Sequence, residues 1–192
     1  LMASYIFDDI LSKPDRPKRA REARQFFRDA AEEISRGKAA PDRIIRGNRS
    51  SLTNKMLPGR MYMFRYEPKL KNKLPYYDTF PLVLPLERYS DGFLGLNLHY
   101  LHINLRVRLL DRLVDLTNNN QFDSTTRVNA DYAGLKNLRL IRPTIKRYLN
   151  GRVKSQFRRI DADEFTIATL LPVARFKKAS VGTVWSDSRK MI

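Results

Sequence analysis

Hydrophobic side chains in the middle of the chain come in short runs that differ from the spacing of a helix. The segments MYMFRYEP, FPLVLPLERY and GFLGLNLHYL are rich in aromatic, branched and leucine residues and are bounded by Pro, Gly, Asn and Asp. These features predict three β-strands. The turn residues Ser90, Asp91 and Gly92 separate the last two strands, which predicts a hairpin. Pro81 and Pro85 fit edge or bulged positions, because proline cannot donate to a strand ladder.

Alternation in the first of these strands divides its side chains between two faces of a sheet. Met61, Met63 and Arg65 share one face, so the three rings between and after them share the other. We therefore expect core packing for most rings of this region and at most two or three rings free for a ligand. Rings interleaved with cations can also stack on unpaired bases. The rings and cations concerned are Tyr62, Phe64, Tyr66, Tyr76, Tyr77, Phe80, Arg65, Lys69, Lys71 and Lys73.

Helical spacing of hydrophobic residues appears on both sides of the predicted strands. A helix is predicted over Ile103–Leu116, with short helices near Tyr5–Leu11 and Asn129–Asn137. A longer helix is predicted to begin at Pro17 and to end at Gly37, because proline suits the first helical position and glycine ends a helix well. The apolar segment FTIATLL, residues 165–171, is predicted to be a further strand that returns to the sheet.

The segment IRPTIKRYLNGRVKSQFRRI, residues 141–160, combines hydrophobic residues at helical spacing with many cations. It predicts a basic amphipathic helix over residues 143–158, with one face packed and the other facing phosphates. A solvated surface helix is the alternative interpretation. The hydrophobic positions are Ile145, Tyr148, Leu149, Val153, Phe157 and Ile160, and the opposing cations are Lys146, Arg147, Lys154 and Arg158.

Together these elements predict an α+β fold. We expect a small bent antiparallel β-sheet, or an SH3-like barrel, flanked by N-terminal and C-terminal helices. The predicted organisation is a helical basic arm over residues 1–50 and an α+β core domain over residues 51–192, which includes the basic helix at 143–158. The strand expected at 165–171 favours one core that unites both halves of the chain.

The charge of the chain is strongly basic and uneven. There are 37 Lys and Arg against 20 Asp and Glu, which gives a net charge of +17 and a pI of about 10.4. Residues 1–60 hold 14 basic and 8 acidic side chains, residues 61–135 hold 9 and 8, and residues 136–192 hold 14 and 4. Cationic ends around a near-neutral centre predict a scaffold whose terminal elements contact a polyanion.

We expect that polyanion to be DNA, bound through its phosphate backbone without sequence preference. On charge alone, RNA and acidic lipid stay possible as well. No hydrophobic run approaches the roughly 20 residues that cross a bilayer. The first residues also carry acids where a secretory signal carries bases, so neither export nor membrane association is expected. The candidate phosphate contacts are Lys146, Arg147, Arg152, Lys154, Arg158, Arg159, Arg19, Arg21, Arg24 and Arg28.

Signatures of catalysis and of metal binding are weak. The chain has no cysteine, which excludes disulfides and thiolate metal sites. His99 and His102 are three residues apart but lack further ligands, so no metal and no cofactor is expected. Asp78 and Glu87 could form the acidic pair of a metal-dependent nuclease. Turn capping by Asp78 and solvent exposure of Glu87 are the preferred interpretations, and we expect no catalytic residue and no enzymatic activity.

Three segments of the chain resemble a family of virion or late proteins of T4-like tailed bacteriophages. They are PGRMYMFRYEPKLKNKLPYYDTFPLVLPLERYSDGFLGLNLHYL, RPTIKRYLNGRVKSQFRRI and LLPVARFKKASVGTVWSDSR. The resemblance points to the DNA end protector family. It implies binding to the termini of packaged linear DNA, protection from host exonuclease, and a location in the virion and, during assembly, in the host cytoplasm.

Two rival functions stay open on the sequence alone. A structural component of the virion neck, tail or baseplate would use its basic ends to bind acidic portal, neck or tail proteins, and a homo-oligomer is compatible with that role. A small nuclease is the third interpretation, by analogy with the SH3-like barrels of some ribonucleases.

Overall fold

The computed structural model of the chain describes residues 28–29, 40–47, 49–114, 128, 131–161 and 164–192. Within these residues there are five α-helices and eight β-strands, so the α+β prediction is confirmed. The helices are α1 Pro41–Arg46, α2 Ile103–Val114, α3 Tyr132–Leu135, α4 Phe165–Leu170 and α5 Val181–Met191. The strands are β1 Leu52–Thr53, β2 Met61–Met63, β3 Tyr77–Asp78, β4 Leu82–Tyr89, β5 Gly92–Asn97, β6 Ile145–Leu149, β7 Phe157–Ile160 and β8 Phe176–Lys177.

Two of the helices predicted on either side of the central strands are confirmed, and the other two fall wholly or almost wholly outside the described residues. The prediction over Ile103–Leu116 is confirmed by α2, and the short helix near residues 129–137 is confirmed by α3. The prediction near Tyr5–Leu11 lies outside the described residues. So does the longer one, except for Arg28 and Asp29, which are helical. No helix in the described part of the chain has the length and the hydrophobicity to cross a membrane.

Six strands form one antiparallel sheet in the order β1-β7-β2-β4-β5-β6, and β3 pairs with β8 in a separate two-stranded sheet. The barrel alternative is wrong, because among the described residues the edge strands β1 and β6 each pair on one side only. The sheet unites distant parts of the chain, since β7 lies between β1 and β2 while β6 pairs with β5.

The hairpin predicted around Ser90 and Asp91 is confirmed by the pairing of β4 with β5. Pro85 lies within β4, a strand that has neighbours on both sides, and the register shifts between Pro85 and Glu87. This bulge accommodates a residue that has no N–H for the ladder. The predicted bulged position of Pro85 is therefore confirmed.

The sheet has a hydrophobic core on each face. Met61 and Met63 pack in the first core, against the side of the sheet where α2 and α4 lie, while Tyr62, Phe64 and Tyr66 pack in an aromatic second core. This is the predicted alternation. Phe64 contacts the rings of Tyr66, Phe93, Tyr148 and Phe157 with centroids 5.0–6.2 Å apart in edge-to-face geometry. Such pairs add to the stability gained by burial alone.

The predicted basic helix over 143–158 is wrong, because this segment forms β6, a 3-10 turn at Asn150–Arg152, and β7. Residues Ile145–Leu149 extend the sheet by pairing with β5. The Leu149 N–H donates to the Tyr66 hydroxyl at 3.1 Å, and Gly151 lies in the turn. The hydrophobic residues of this segment have helical spacing only by coincidence, because they are spread over a strand, a turn and a second strand. Pairing with the sheet determines the structure instead.

The predicted strand at 165–171 is also wrong, because it contains α4. Phe165, Ile167, Ala168 and Leu170 are all buried, and α4 packs against α2. A helix that is buried on every side has a continuous apolar run, which periodicity does not distinguish from a buried strand. The predicted boundary at residue 50 stays a prediction, although Ile44 of α1 packs in the first core.

Substitution of Gly92 by alanine is expected to lower the free energy of unfolding by about 1–3 kcal/mol, because it overpacks the β5–β6 contact. A Cβ at Gly92 would lie 1.9 Å from the Tyr148 carbonyl oxygen, and backbone atoms cannot rotate away. The matched control is Gly151→Ala, since a Cβ there meets no atom within 4 Å. Urea unfolding of both variants tests the difference, and equal midpoints would contradict the described approach of β6 to β5.

Candidate nucleic-acid interface

Five tyrosines from separate parts of the chain line one pocket of about 430 Å³. The residues come from the end of the first aromatic segment, from β3 and the loop before it, from the end of β5, and from β6. We call this site the tyrosine pocket. Its lining residues are Tyr66, Pro68, Leu74, Pro75, Tyr76, Tyr77, Asp78, Asn97, Tyr100, Ile145, Lys146, Arg147 and Tyr148.

Three tyrosines form the fixed inner part of the pocket. Tyr66, Tyr100 and Tyr148 are buried, and the Tyr66 hydroxyl accepts from the Leu149 N–H at 3.1 Å. Burial raises the pKa of all three hydroxyls, so they stay protonated at neutral pH. Since the three rings are buried, and those of Tyr66 and Tyr148 pack edge to face with centroids 4.9 Å apart, they present a preformed aromatic surface.

Two further tyrosines stand at the mouth of the pocket. Tyr76 and Tyr77 are partly exposed, and the ring of Tyr76 lies 6.1 Å from that of Tyr100. Burial and the nearby Asp187 on α5 raise the pKa of the Tyr76 hydroxyl. Tyr77 belongs to β3 and pairs with Lys177 of β8. These two rings are the part of the pocket that a ligand can reach first.

Asp78 holds the polar end of the pocket together. Its Oδ1 accepts from the N–H of Phe80 at 2.9 Å and of Arg175 at 3.3 Å, and its Oδ2 accepts from the Asn97 amide at 3.1 Å and lies 2.9 Å from Nδ1 of His99. Burial alone would raise the pKa of Asp78, but its contacts with His99, Phe80 and Asn97 outweigh burial and lower it. Asp78 therefore carries a buried negative charge that four donors stabilise.

His99 is a partner of Asp78 in the buried network of the pocket. Burial lowers the pKa of His99 more than Asp78 raises it, so the ring is neutral at pH 7 and its Nδ1–H donates to the carboxylate. No group of three or more potential metal ligands occurs in the described part of the chain. Asp78 lies at a turn as predicted, since it accepts the Phe80 N–H, but its burial and its partners were not predicted.

Lys146 lies at the side of the pocket with its ammonium over a ring. Its Nζ is 3.9 Å from the centroid of Tyr100, a cation–π contact. Burial lowers the pKa of Lys146 to about 8. At pH 7 the lysine is thus charged but poorly hydrated, and an anion at the mouth of the pocket would stabilise its charged form.

Further cations surround the mouth of the pocket near Glu67. The Glu67 N–H donates to the Arg152 carbonyl at 3.1 Å, and the Glu67 side chain forms an ion pair with Lys71. Lys71, Arg152 and Lys154 all lower the pKa of Glu67, the hydrogen bond with Lys71 most strongly. We use the name basic rim for Lys71, Lys146, Arg147, Arg152 and Lys154. Neither Arg152 nor Lys154 forms an ion pair with another residue that the structure describes.

Arg147 is the most constrained member of the basic rim. Its guanidinium forms an ion pair with Asp91, donates to the Tyr148 carbonyl at 2.8 Å, and lies 4.3 Å from the ring centroid of Tyr89. Its charge is therefore partly neutralised within the chain. The rim is basic chiefly because of its other members.

The other predicted phosphate contacts do not join this rim. Arg158 is fully buried and donates to the Ile45 carbonyl, so we leave it out of any surface. Arg159 forms a 2.8 Å ion pair with Asp161. Arg28 is partly buried and lies near His102, whose pKa is lowered chiefly by burial and to a smaller degree by Arg189, Arg106 and Arg28. Arg19, Arg21 and Arg24 lie outside the described residues.

A second cleft of about 410 Å³ lies elsewhere on the sheet, beside the turn of the hairpin. It is mostly polar and contains the cations Lys55 and Arg88 and the exposed ring of Tyr89. Sequence reasoning did not single out Lys55 or Arg88, because neither belongs to a dense charge run. It also missed Tyr100, although the rings and cations of residues 62–80 did indicate Tyr76 and Tyr77.

Comparison with known proteins gives one finding for this chain. A family model described as phage T4 terminal DNA protecting protein matches residues 23–189. No curated protein and no solved structure matches the chain.

Proposed function

The chain belongs to the family of phage T4 terminal DNA protecting proteins, and from this premise we propose that it covers the ends of linear DNA through contacts with phosphates and without cleaving them. We propose further that it does so in the virion. The match extends over residues 23–189, which include the whole pocket and the whole basic rim.

The observation that carries the proposal is the basic rim beside the tyrosine pocket. Arg152 lies in the turn between β6 and β7, with Lys154 two residues after it, and Lys71 is on a loop near Arg152. Backbone hydrogen bonds fix both positions, since the Arg152 carbonyl accepts from the Glu67 N–H and the Lys154 N–H donates to the Arg65 carbonyl. Cations that are fixed on the scaffold bind phosphates without regard to base sequence. Residues 136–192 also carry 14 basic against 4 acidic side chains, which favours association with a polyanion at long range.

A noncatalytic role is supported by the surroundings of the only acidic pair that the sequence had suggested. Asp78 is 4% exposed and uses both oxygens to accept hydrogen bonds from the chain. Glu87 lies on β4 and accepts from the hydroxyl of Tyr89 at 2.7 Å. A carboxylate that is already surrounded by protein donors is a poor ligand for the Mg²⁺ of a nuclease, which keeps several waters.

Binding to a linear duplex is expected to weaken steeply as salt rises. Each phosphate neutralised contributes about −0.9 to the slope of log K against log salt, so four contacts would give a slope of roughly −3.6. Fluorescence anisotropy with a linear duplex and with a closed circle of the same sequence measures both the slope and the preference for ends. A flat salt response, or failure of the bound protein to slow digestion by an added exonuclease, would refute the proposal.

A further inference from the structure

The tyrosine pocket has a composition that phosphate binding does not require. Phosphate contacts need exposed cations, but this pocket joins buried aromatic rings, partly exposed aromatic rings and a half-buried ammonium. Its volume of about 430 Å³ lies within the range of about 300–1,000 Å³ in which proteins bind small ligands. A ligand that fits such a site has a flat ring system and a negative charge next to it.

We propose that the tyrosine pocket takes up the unpaired terminal nucleotide of a DNA strand, with its base against the tyrosines and its phosphate at the basic rim. This inference rests on the proposed function, because it assumes that a DNA end reaches the rim. It goes further by assigning the recognition of the end itself to a second set of residues.

Stacking is the first reason. Tyr76 and Tyr77 line the pocket and are partly exposed, so a base that enters can contact the exposed part of each ring. Base stacking on aromatic side chains is favourable for every base, so it fits a protein that reads no sequence. Behind them, the rings of Tyr100 and Tyr148 are buried in the packed protein, which limits the conformational entropy that binding would cost.

The position of the charges is the second reason. Lys146 and Arg147 both line the pocket, and Lys146 lies with its Nζ above the ring of Tyr100. A nucleotide whose base enters between the tyrosines would place its phosphate beside this ammonium. Arg152 and Lys154 lie farther out near Glu67, where the next phosphates of the strand would follow.

The energetic difference between an end and an internal position is the third reason. An internal base must be unpaired and must leave neighbours on both sides before it can enter a pocket, whereas a terminal base has one neighbour, and an overhanging base has no partner. A pocket that takes one base would thus bind DNA ends in preference to internal DNA, without contacting the rest of the duplex. Phosphate binding alone gives no such selection.

The test uses the full chain and duplexes that end blunt, in a one-nucleotide 5′ overhang or in a one-nucleotide 3′ overhang. We expect at least one overhang to bind about 5- to 100-fold more tightly than the blunt duplex, the range that stacking of one base gives. Tyr77→Ala should abolish that advantage and Tyr77→Phe should keep it, since phenylalanine retains the ring. Tyr132→Ala is the matched control, because Tyr132 is an exposed tyrosine on α3 outside the pocket.

A photocrosslink tests the same point in the unmodified protein. With 5-iododeoxyuridine as the terminal nucleotide, irradiation should join the DNA to Tyr76 or Tyr77, and the same base placed at an internal position should give no such product. Equal affinity for all three ends, together with crosslinks outside the pocket, would overturn the inference while salt-dependent DNA binding leaves the proposed function intact. Absence of any DNA binding would instead overturn the proposed function and the inference with it. Saturation of the pocket by free deoxyadenosine monophosphate, without a response to either overhang, would identify a site for free nucleotides and would also overturn the inference.

Discussion

Replacement of Asp78 by alanine is expected to lower the free energy of unfolding by about 3–5 kcal/mol, because it removes the acceptor from a set of buried donors. The Asn97 amide, the ring of His99 and the N–H groups of Phe80 and Arg175 would all lose their partner. Phe80, Asn97 and His99 are completely buried, so their donors cannot turn to solvent. The loss would be a large fraction of the 5–15 kcal/mol that stabilises an ordinary domain.

Urea unfolding measures this effect, and two further variants define its origin. Asp78→Asn keeps an oxygen acceptor of the same shape and should lose less stability than Asp78→Ala. Asp91→Ala is the surface control, since Asp91 is largely exposed and its ion pair with Arg147 should contribute no more than about 1 kcal/mol. If Asp78→Ala unfolded at the same urea concentration as Asp91→Ala, the buried network around Asp78 would not be a source of stability.

The same variants separate a structural role for Asp78 from the nuclease interpretation. A catalytic aspartate can usually be replaced by asparagine at little cost in stability, with complete loss of activity. Here we expect the wild-type protein to leave labelled DNA intact with or without Mg²⁺, so that the substitution changes stability only. Metal-dependent cleavage by the wild type that disappears in Asp78→Asn would contradict the noncatalytic proposal.

The strands that the sequence predicted well are those whose signal is local. The hairpin of β4 and β5 has turn residues at Ser90 and Asp91 and an apolar run on each side, and the alternation of β2 assigned Met61 and Tyr62 to opposite cores correctly. These properties depend on pleating and turn geometry, which a few neighbouring residues determine. They needed no knowledge of the rest of the fold.

The two errors concern segments whose structure depends on distant partners. The segment 145–160 forms strands because β5, β2 and β1 offer edges for pairing, and that information lies 50 to 100 residues away. One local signal pointed the right way, since Asn150 and Gly151 are turn residues in the middle of the predicted helix. α4 was mistaken for a strand because five of its six residues are buried, which leaves no periodic pattern to identify a helix.

For the candidate site, the sequence indicated several of the residues but not their arrangement in space. Lys146, Arg147, Arg152 and Lys154 were chosen from the charge of the segment, and the structure places them beside one pocket, although on a strand and a turn instead of a helix. Tyr100 could not be found, because the pocket joins four stretches that no sequence spacing relates. The burial of Arg158 was not predicted either, because the residues that Arg158 contacts, Met63 of β2 and Ile45, are about 100 residues away in the sequence.

Charge reversal of Arg152 and Lys154 together is expected to weaken binding to linear duplexes by about 10- to 100-fold at about 0.1 M salt. These two cations form no ion pair within the described residues, so their charge is available to phosphates in the free protein. The slope of log K against log salt should become shallower by about 2, one for each lost contact. Duplexes of unrelated sequence should be affected alike, because phosphate contacts read no bases.

The matched control is the pair Lys136→Glu and Arg139→Glu, which changes the net charge by the same amount at exposed positions outside the basic rim. A purely long-range attraction would respond equally to both pairs, because it depends on net charge. A local contact surface would respond to the rim pair far more strongly, and only the rim pair would alter the salt slope. Equal losses in the two double variants would therefore contradict a phosphate-binding rim beside the tyrosine pocket, even if the protein still protected DNA ends.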